Sequence, residues 1–97
     1  MAQIIYSEDA LADFERIIDF QLEHNPQNAS STLEHIKSAV LILAVHPLIG
    51  RPVDDLRREL VISRGAKGYL ALYRFEPALN LIRILRIRHQ REVGYPN

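Results

Sequence analysis

The sequence predicts an α+β domain in the order βααβββ, with an N-terminal strand and an antiparallel helix hairpin packed on an antiparallel sheet. Three features predict it. Two apolar stripes at helical spacing precede Pro47, and Pro26 divides them. Beyond Pro47 the apolar residues are no longer spaced as on a helix and run together in β-rich stretches. Those stretches are separated by segments short enough to join neighbouring antiparallel strands. With 97 residues and no linker, repeat or low-complexity segment, residues 1–97 read as one domain.

The elements follow in order. "QIIY" is short, apolar and partly β-branched, and stops at Ser7, so it reads as a strand. Ser7 is a good N-cap, and Glu8 and Asp9 sit where the helix dipole favours acids. Leu11, Phe14, Ile18 and Leu22 then recur at helical spacing with Ile17 beside them, while Asp13, Glu15, Arg16, Asp19 and Glu23 take the other side, giving a helix over roughly 8–24. Pro26 cannot continue that helix but can open the next with Asn25 as cap. Ala29, Leu33, Ile36, Val40 and Leu43 form its stripe up to Pro47.

"ELVIS", "GYLALYRF" and "LNLIRILRIRH" read as three strands of a meander, separated by "RGAKG" and "EPA". In the middle strand Tyr69, Ala71, Tyr73 and Phe75 share one side, and Leu70, Leu72 and Arg74 the other. Their shared side assigns the aromatics to packing against the helices rather than to base stacking. The last strand has two readings. Ile82 and Ile84 share parity with Arg86 and Arg88, whereas Leu85 and Ile87 share it with Arg83 and His89. Either both faces are half covered or a bulge near Leu85 resets the register.

The net charge of zero conceals a division. Residues 1–50 hold two bases against seven acids, a balance of −5, and residues 51–97 hold ten bases against five acids, a balance of +5. Nine of those ten bases are Arg, the better fork for phosphate or carboxylate. A basic face suits nucleic acid or an acidic protein surface. The plain alternative is a solvated sheet face on which long charged side chains cover apolar neighbours.

Other chemistry is sparse. The absence of cysteine excludes disulfides, thiolate metal sites and a cysteine nucleophile, and fits a reducing cytoplasm. No targeting pattern or membrane-length apolar run is present. His24, His35, His46 and His89 show no metal-ligand spacing, so neither a metal nor a cofactor is expected. His24, His35 and His46 read as surface or helix-end residues, and His89, closing the arginine-rich strand, could serve as an acid or base. The four glycines are scattered at turns, and no phosphate loop or nucleophile elbow occurs.

The segments "YSEDALADFERI", "HPLIGRPVDDLR", "GYLALYRF" and "IRILRIRHQRE", in this order over nearly the whole chain, resemble the ParE/RelE superfamily of bacterial toxin-antitoxin toxins. The resemblance implies a cytoplasmic, growth-arresting toxin neutralised by a cognate antitoxin. Its RelE-like members are ribosome-dependent mRNA endonucleases with lysines on the first meander strand, an arginine after the "GY" of the next, and basic, histidine or tyrosine groups near the C-terminus. Its ParE-like members lack that set and poison DNA gyrase. Here the lysine positions fall on Leu60 to Ser63 and the arginine position on Leu70. His89, Arg91 and Tyr95 alone remain for a nuclease, and the ending "ILRIRHQRE" looks more like the ParE branch.

The resemblance therefore implies a gyrase inhibitor, with the mRNA endonuclease or a non-toxic antitoxin-binding module as alternatives. Arg58, Arg64, Lys67, Arg74, Arg83, Arg86, Arg88, His89 and Arg91 are expected to form the effector surface toward gyrase, its cleaved DNA or both. Arg86 could instead turn toward the helices and pair with Asp13 or Glu15. Leu11, Phe14, Ile18, Leu33 and Ile36 are expected to meet the antitoxin. Whether the toxin forms a homodimer in the absence of antitoxin stays open.

Overall fold

The computed structural model describes residues 1–63, 68–92 and 94–96. Seven elements follow one another: β1 (Gln3–Tyr6), α1 (Glu8–His24), α2 (Ala29–Val40), β2 (Arg51–Pro52), β3 (Arg58–Val61), β4 (Tyr69–Glu76) and β5 (Leu81–His89). Short 3-10 turns at Pro26–Asn28 and Leu41–Ala44 flank α2. They occupy the ends of the helix expected from Asn25 to Pro47, and Asn25 makes no side-chain cap bond. Ser7 caps α1 as expected, its Oγ accepting the Ala10 N–H at 3.0 Å.

The five strands form one sheet in the order β1-β5-β4-β3-β2. Strands β3, β4 and β5 make the antiparallel meander, and β1 joins β5 in parallel, so the sheet is mixed. Strand β2, two residues long, pairs with β3 and has no counterpart in the sequence reading. The core lies between the helices and one sheet face: Phe14 and Ile17 of α1 and Ile36 and Val40 of α2 meet Tyr69, Ala71, Tyr73, Ile82, Ile84 and Ile87.

The buried side of α1 differs from the expected stripe. It consists of Ala10, Asp13, Phe14 and Ile17, while Leu11 is 52% exposed and Leu22 54%. Asp13, assigned by its charge to the solvent side, is only 3% exposed. The interior accepts a carboxylate there because four protein donors reach it, which offsets the cost of removing the charge from water.

The two readings of the last strand resolve in favour of the bulge. Leu72 pairs with Arg86 and Tyr73 with Ile84, so Leu85 is the extra residue on β5. Its insertion puts Ile82, Ile84, Ile87 and His89 opposite Phe75, Tyr73, Ala71 and Tyr69 on the core face. It also aligns Arg83, Arg86 and Arg88 opposite Arg74, Leu72 and Leu70 on the outer face.

Candidate functional site: the outer face of β5 and the groove behind it

Past Tyr6, strand β1 ends and β5 has no strand neighbour on that side among the described residues. Side chains complete the edge instead. Ser7 donates from its backbone to Ile84 O at 2.9 Å and from Oγ to Leu85 O at 2.9 Å. Asp13 Oδ2 accepts the Ile87 N–H at 2.8 Å, Arg16 donates to Ile87 O at 3.1 Å, and Glu92 Oε1 accepts the His89 N–H at 2.8 Å. Helix α1 thereby closes an edge that would otherwise offer a row of backbone groups to another chain.

Asp13 also holds the arginines. It accepts from Arg86 Nε at 2.9 Å and NH2 at 3.0 Å, and from Arg16 at 3.3 Å. Burial alone would raise its pKa, but the bonds to Arg86, the Ile87 N–H and Arg16 prevail and hold it below its ordinary value. Of the two pairings foreseen for Arg86, the one with Asp13 forms. That guanidinium is neutralised where it stands.

On the outer face a second cluster surrounds Glu59, which is 8% exposed. Arg51 donates to its Oε1 at 2.5 Å and the Tyr95 hydroxyl to its Oε2 at 2.8 Å. Burial opposes ionisation of Glu59, and these two donors with the charges of Arg51 and Arg88 outweigh it, so its pKa is lowered. The Tyr95 hydroxyl is driven the other way, well above the ordinary phenol range, by burial and by the Glu59 carboxylate it bonds. Its ring lies beneath Arg86 and Arg88, their guanidinium carbons 5.4 and 5.2 Å from its centre. Arg86 additionally donates to Pro96 O, and Arg88 donates to Glu92 O at 2.6 Å. Leu70 and Leu72, on the same face, are each 5% exposed.

The nine residues expected on one effector surface therefore separate. Arg74, Arg83, Arg86 and Arg88 share the outer face, with Arg83 bonded to Glu76 at 3.1 Å. Arg58 stands apart from them: it pairs with Tyr73 on the core side and braces the loop before β2, donating to Leu48 O at 3.1 Å and Gly50 O at 2.9 Å. His89 also stands apart, facing the core side and meeting Tyr69 edge-on at 5.1 Å. Arg91 is exposed beyond the strand, and Arg64 and Lys67 lie outside the described residues. Of the groups expected to meet an antitoxin, Phe14 and Ile36 are interior and serve the core, whereas Leu11 is exposed and Ile18 and Leu33 are half-buried.

Behind the sheet, an open groove of about 970 Å³ runs between α1, the start of α2 and the ends of β4 and β5. His24, His35, His89, Gln21, Tyr69 and Arg91 are among its walls. The histidines were legible one by one, but only the helix hairpin brings them to one groove. Among the described residues no group of three or more His, Cys, Asp or Glu could hold a metal.

Two helices on a five-stranded mixed sheet make this an α+β fold, and solved structures of toxin-antitoxin proteins share it. The family model described as the ParE toxin of type II toxin-antitoxin systems matches residues 4–94, and the chain belongs to that family. It is 35% identical to the toxin RelE3 of Caulobacter vibrioides over 86% of this chain and 88% of that protein. It is also 35% identical to the toxin RelE2 of the same bacterium, over 92% and 96%. The fold matches a chain of the chromosomal ParDE system of P. aeruginosa with a TM-score of 0.76 and 25% identity, covering 92% of this chain and 96% of that one. It also matches the E. coli RelBE complex with a TM-score of 0.69 and 12% identity, covering 95% and 100%.

Proposed function

We propose that this toxin inhibits DNA gyrase and is neutralised by a cognate antitoxin, as the ParDE and RelBE systems it is similar to pair a toxin with an antitoxin. The observation that carries the choice of gyrase is the separation of Tyr95 from His89 and Arg91, the other two residues left for a nuclease. His89 and Tyr95 stand on opposite faces of β5, so they cannot act together on one phosphodiester.

The chemistry around Tyr95 supports the same reading. A metal-free RNase needs a base, an acid and cations converging on the scissile phosphate. The Tyr95 hydroxyl is kept protonated far above neutral pH and already donates to Glu59, whose charge repels a phosphate. The neighbouring positions are filled by Leu70 and Leu72. Two observations favour the mRNA endonuclease as a second reading: Arg88 and Tyr95 are adjacent on the outer face, and two relatives at 35% identity are named RelE toxins.

The test is a pair of assays on one preparation. The protein is added to gyrase with relaxed plasmid and, separately, to a translating extract with defined mRNA. Blocked supercoiling with intact mRNA is expected. Codon-positioned mRNA cuts with normal supercoiling would replace this reading with the second.

A further inference from the structure

The groove behind the sheet is not used by the proposal above, and its walls have a specific chemistry. Among the described residues its one carboxylate is Glu92, and it is spent: Oε1 accepts from Arg16 and the His89 N–H, and Oε2 accepts from Arg16. Arg91 is exposed at the groove and makes no ion pair with a described residue. The charge left for a ligand is therefore positive.

The remaining polar atoms are an organised set of donors and acceptors. Gln21 Oε1 is buried with no hydrogen-bond partner among the described residues. Gln21 Nε2 donates to the Tyr69 hydroxyl at only 3.4 Å, and a turn of this half-buried side chain toward the groove it lines would let a ligand N–H remove the cost of the unmet oxygen. His89 Nδ1 accepts the Arg91 N–H at 3.1 Å, so its proton sits on Nε2 and that nitrogen donates. His24 Nδ1 bonds Phe20 O at 2.9 Å, which in the neutral ring leaves Nε2 as an acceptor. Phe20 lies half-exposed at the same groove, stacked on His24 with ring centres 4.1 Å apart and planes 15° apart.

A flat ring face, alternating donors and acceptors and a guanidinium with no ion pair among the described residues match a nucleotide: base on the aromatic pair, base edge on Gln21 and His89, phosphate on Arg91. We propose that this groove binds a single nucleotide. A simple anion would leave Gln21 Oε1 unmet, and an acidic peptide has no use for the ring platform. The volume of about 970 Å³ accommodates a mononucleotide with room for a strand to enter and leave.

The experiment is an NMR titration of the isolated protein, following the imidazole signals of His24, His35 and His89 and the Gln21 side-chain amide. The probes are the four nucleoside monophosphates, a nucleoside, inorganic phosphate, a trinucleotide and a glutamate-rich peptide. Perturbation of His89 and Gln21 by monophosphates is expected if the source is a free nucleotide, and by the trinucleotide alone if it is a strand; either supports the site. Arg91→Ala should weaken monophosphate or trinucleotide binding about tenfold, the worth of one charge-assisted contact, and leave the nucleoside unchanged. Equal perturbation by inorganic phosphate, tighter binding of the acidic peptide, unchanged affinity in Arg91→Ala, or nucleotide shifts confined to the outer face would each overturn the proposal. Because gyrase is absent from this experiment, its failure leaves the reading of the target standing, and the reverse also holds.

Discussion

The two halves of β5 are built differently, and the difference explains why arginine is abundant there. From Leu81 to Ile84 the strand lies between β4 and β1, with backbone partners on both sides. Its one arginine, Arg83, makes a partly exposed pair with Glu76. From Arg86 to His89 the strand keeps β4 but loses β1, and α1 completes the edge with Asp13 and Arg16. Much of the local cationic charge is thus matched by Asp13, Glu59 and Glu92. Among the described residues the cations left for a partner around β5 are Arg88, Arg74 and Arg91, so several of the arginines there are already matched.

Breaking the α1 side of this comparison should have the largest effect. Asp13→Ala leaves Arg86 without its buried counter-charge and the Ile87 N–H without an acceptor, and should cost about 3–5 kcal/mol in chemical denaturation. Arg83→Ala, in the strand-paired half, should cost less than about 1 kcal/mol. Similar losses in the two variants would refute the distinction between the halves.

Next comes Tyr73, buried at the centre of β4, whose hydroxyl donates to Pro47 O at 2.8 Å and accepts the Gly50 N–H at 2.9 Å. Tyr73→Phe should cost about 1–3 kcal/mol, since two backbone groups lose their partner. Gly50→Ala should destabilise as well, because an added Cβ would come within 2.6 Å of the Tyr73 ring and 2.9 Å of Glu59 O.

Acid sharpens the comparison further. Asp13 and Glu59 both titrate below their ordinary values of 3.8 and 4.5 when folded. As pH falls through this range the unfolded chain takes up protons first, so the stability these groups confer is complete above about pH 5 and is lost on further acidification through their folded values. The melting temperature should be level above that point and fall below about pH 4, with a shallower fall in Glu59→Gln. The smallest effect belongs to Arg91→Glu, which should change stability by no more than about 0.5 kcal/mol.

The sequence disclosed the helix hairpin and the meander because each rests on local patterns: Ser7 before a helical stripe, Pro26 and Pro47 as breaks, and alternation in "GYLALYRF". The bulge at Leu85 was visible as a conflict of parity between Ile84 and Ile87. The parallel pairing of β1 with β5 was not, since a partner about eighty residues away leaves no local trace. Asp13 was assigned to solvent because periodicity treats every acid as polar, and only Arg86, 73 residues on, marks it as interior. Glu59 and its bond to Tyr95 were hidden for the same reason. The groove shares this origin, drawing Gln21, His35 and His89 from three separate elements.

The most direct measurement is gyrase supercoiling in the presence of Arg88→Glu, with thermal melting of the same sample to confirm that it is folded. Arg88 is the outer-face arginine of the second half whose guanidinium has no carboxylate partner among the described residues, and its charge is the one this account assigns to the target. A folded variant should lose most of its inhibition, while Arg83→Glu should lose less. Full inhibition by folded Arg88→Glu would contradict the account and return the arginines of β5 to covering and neutralising the outer face of the sheet.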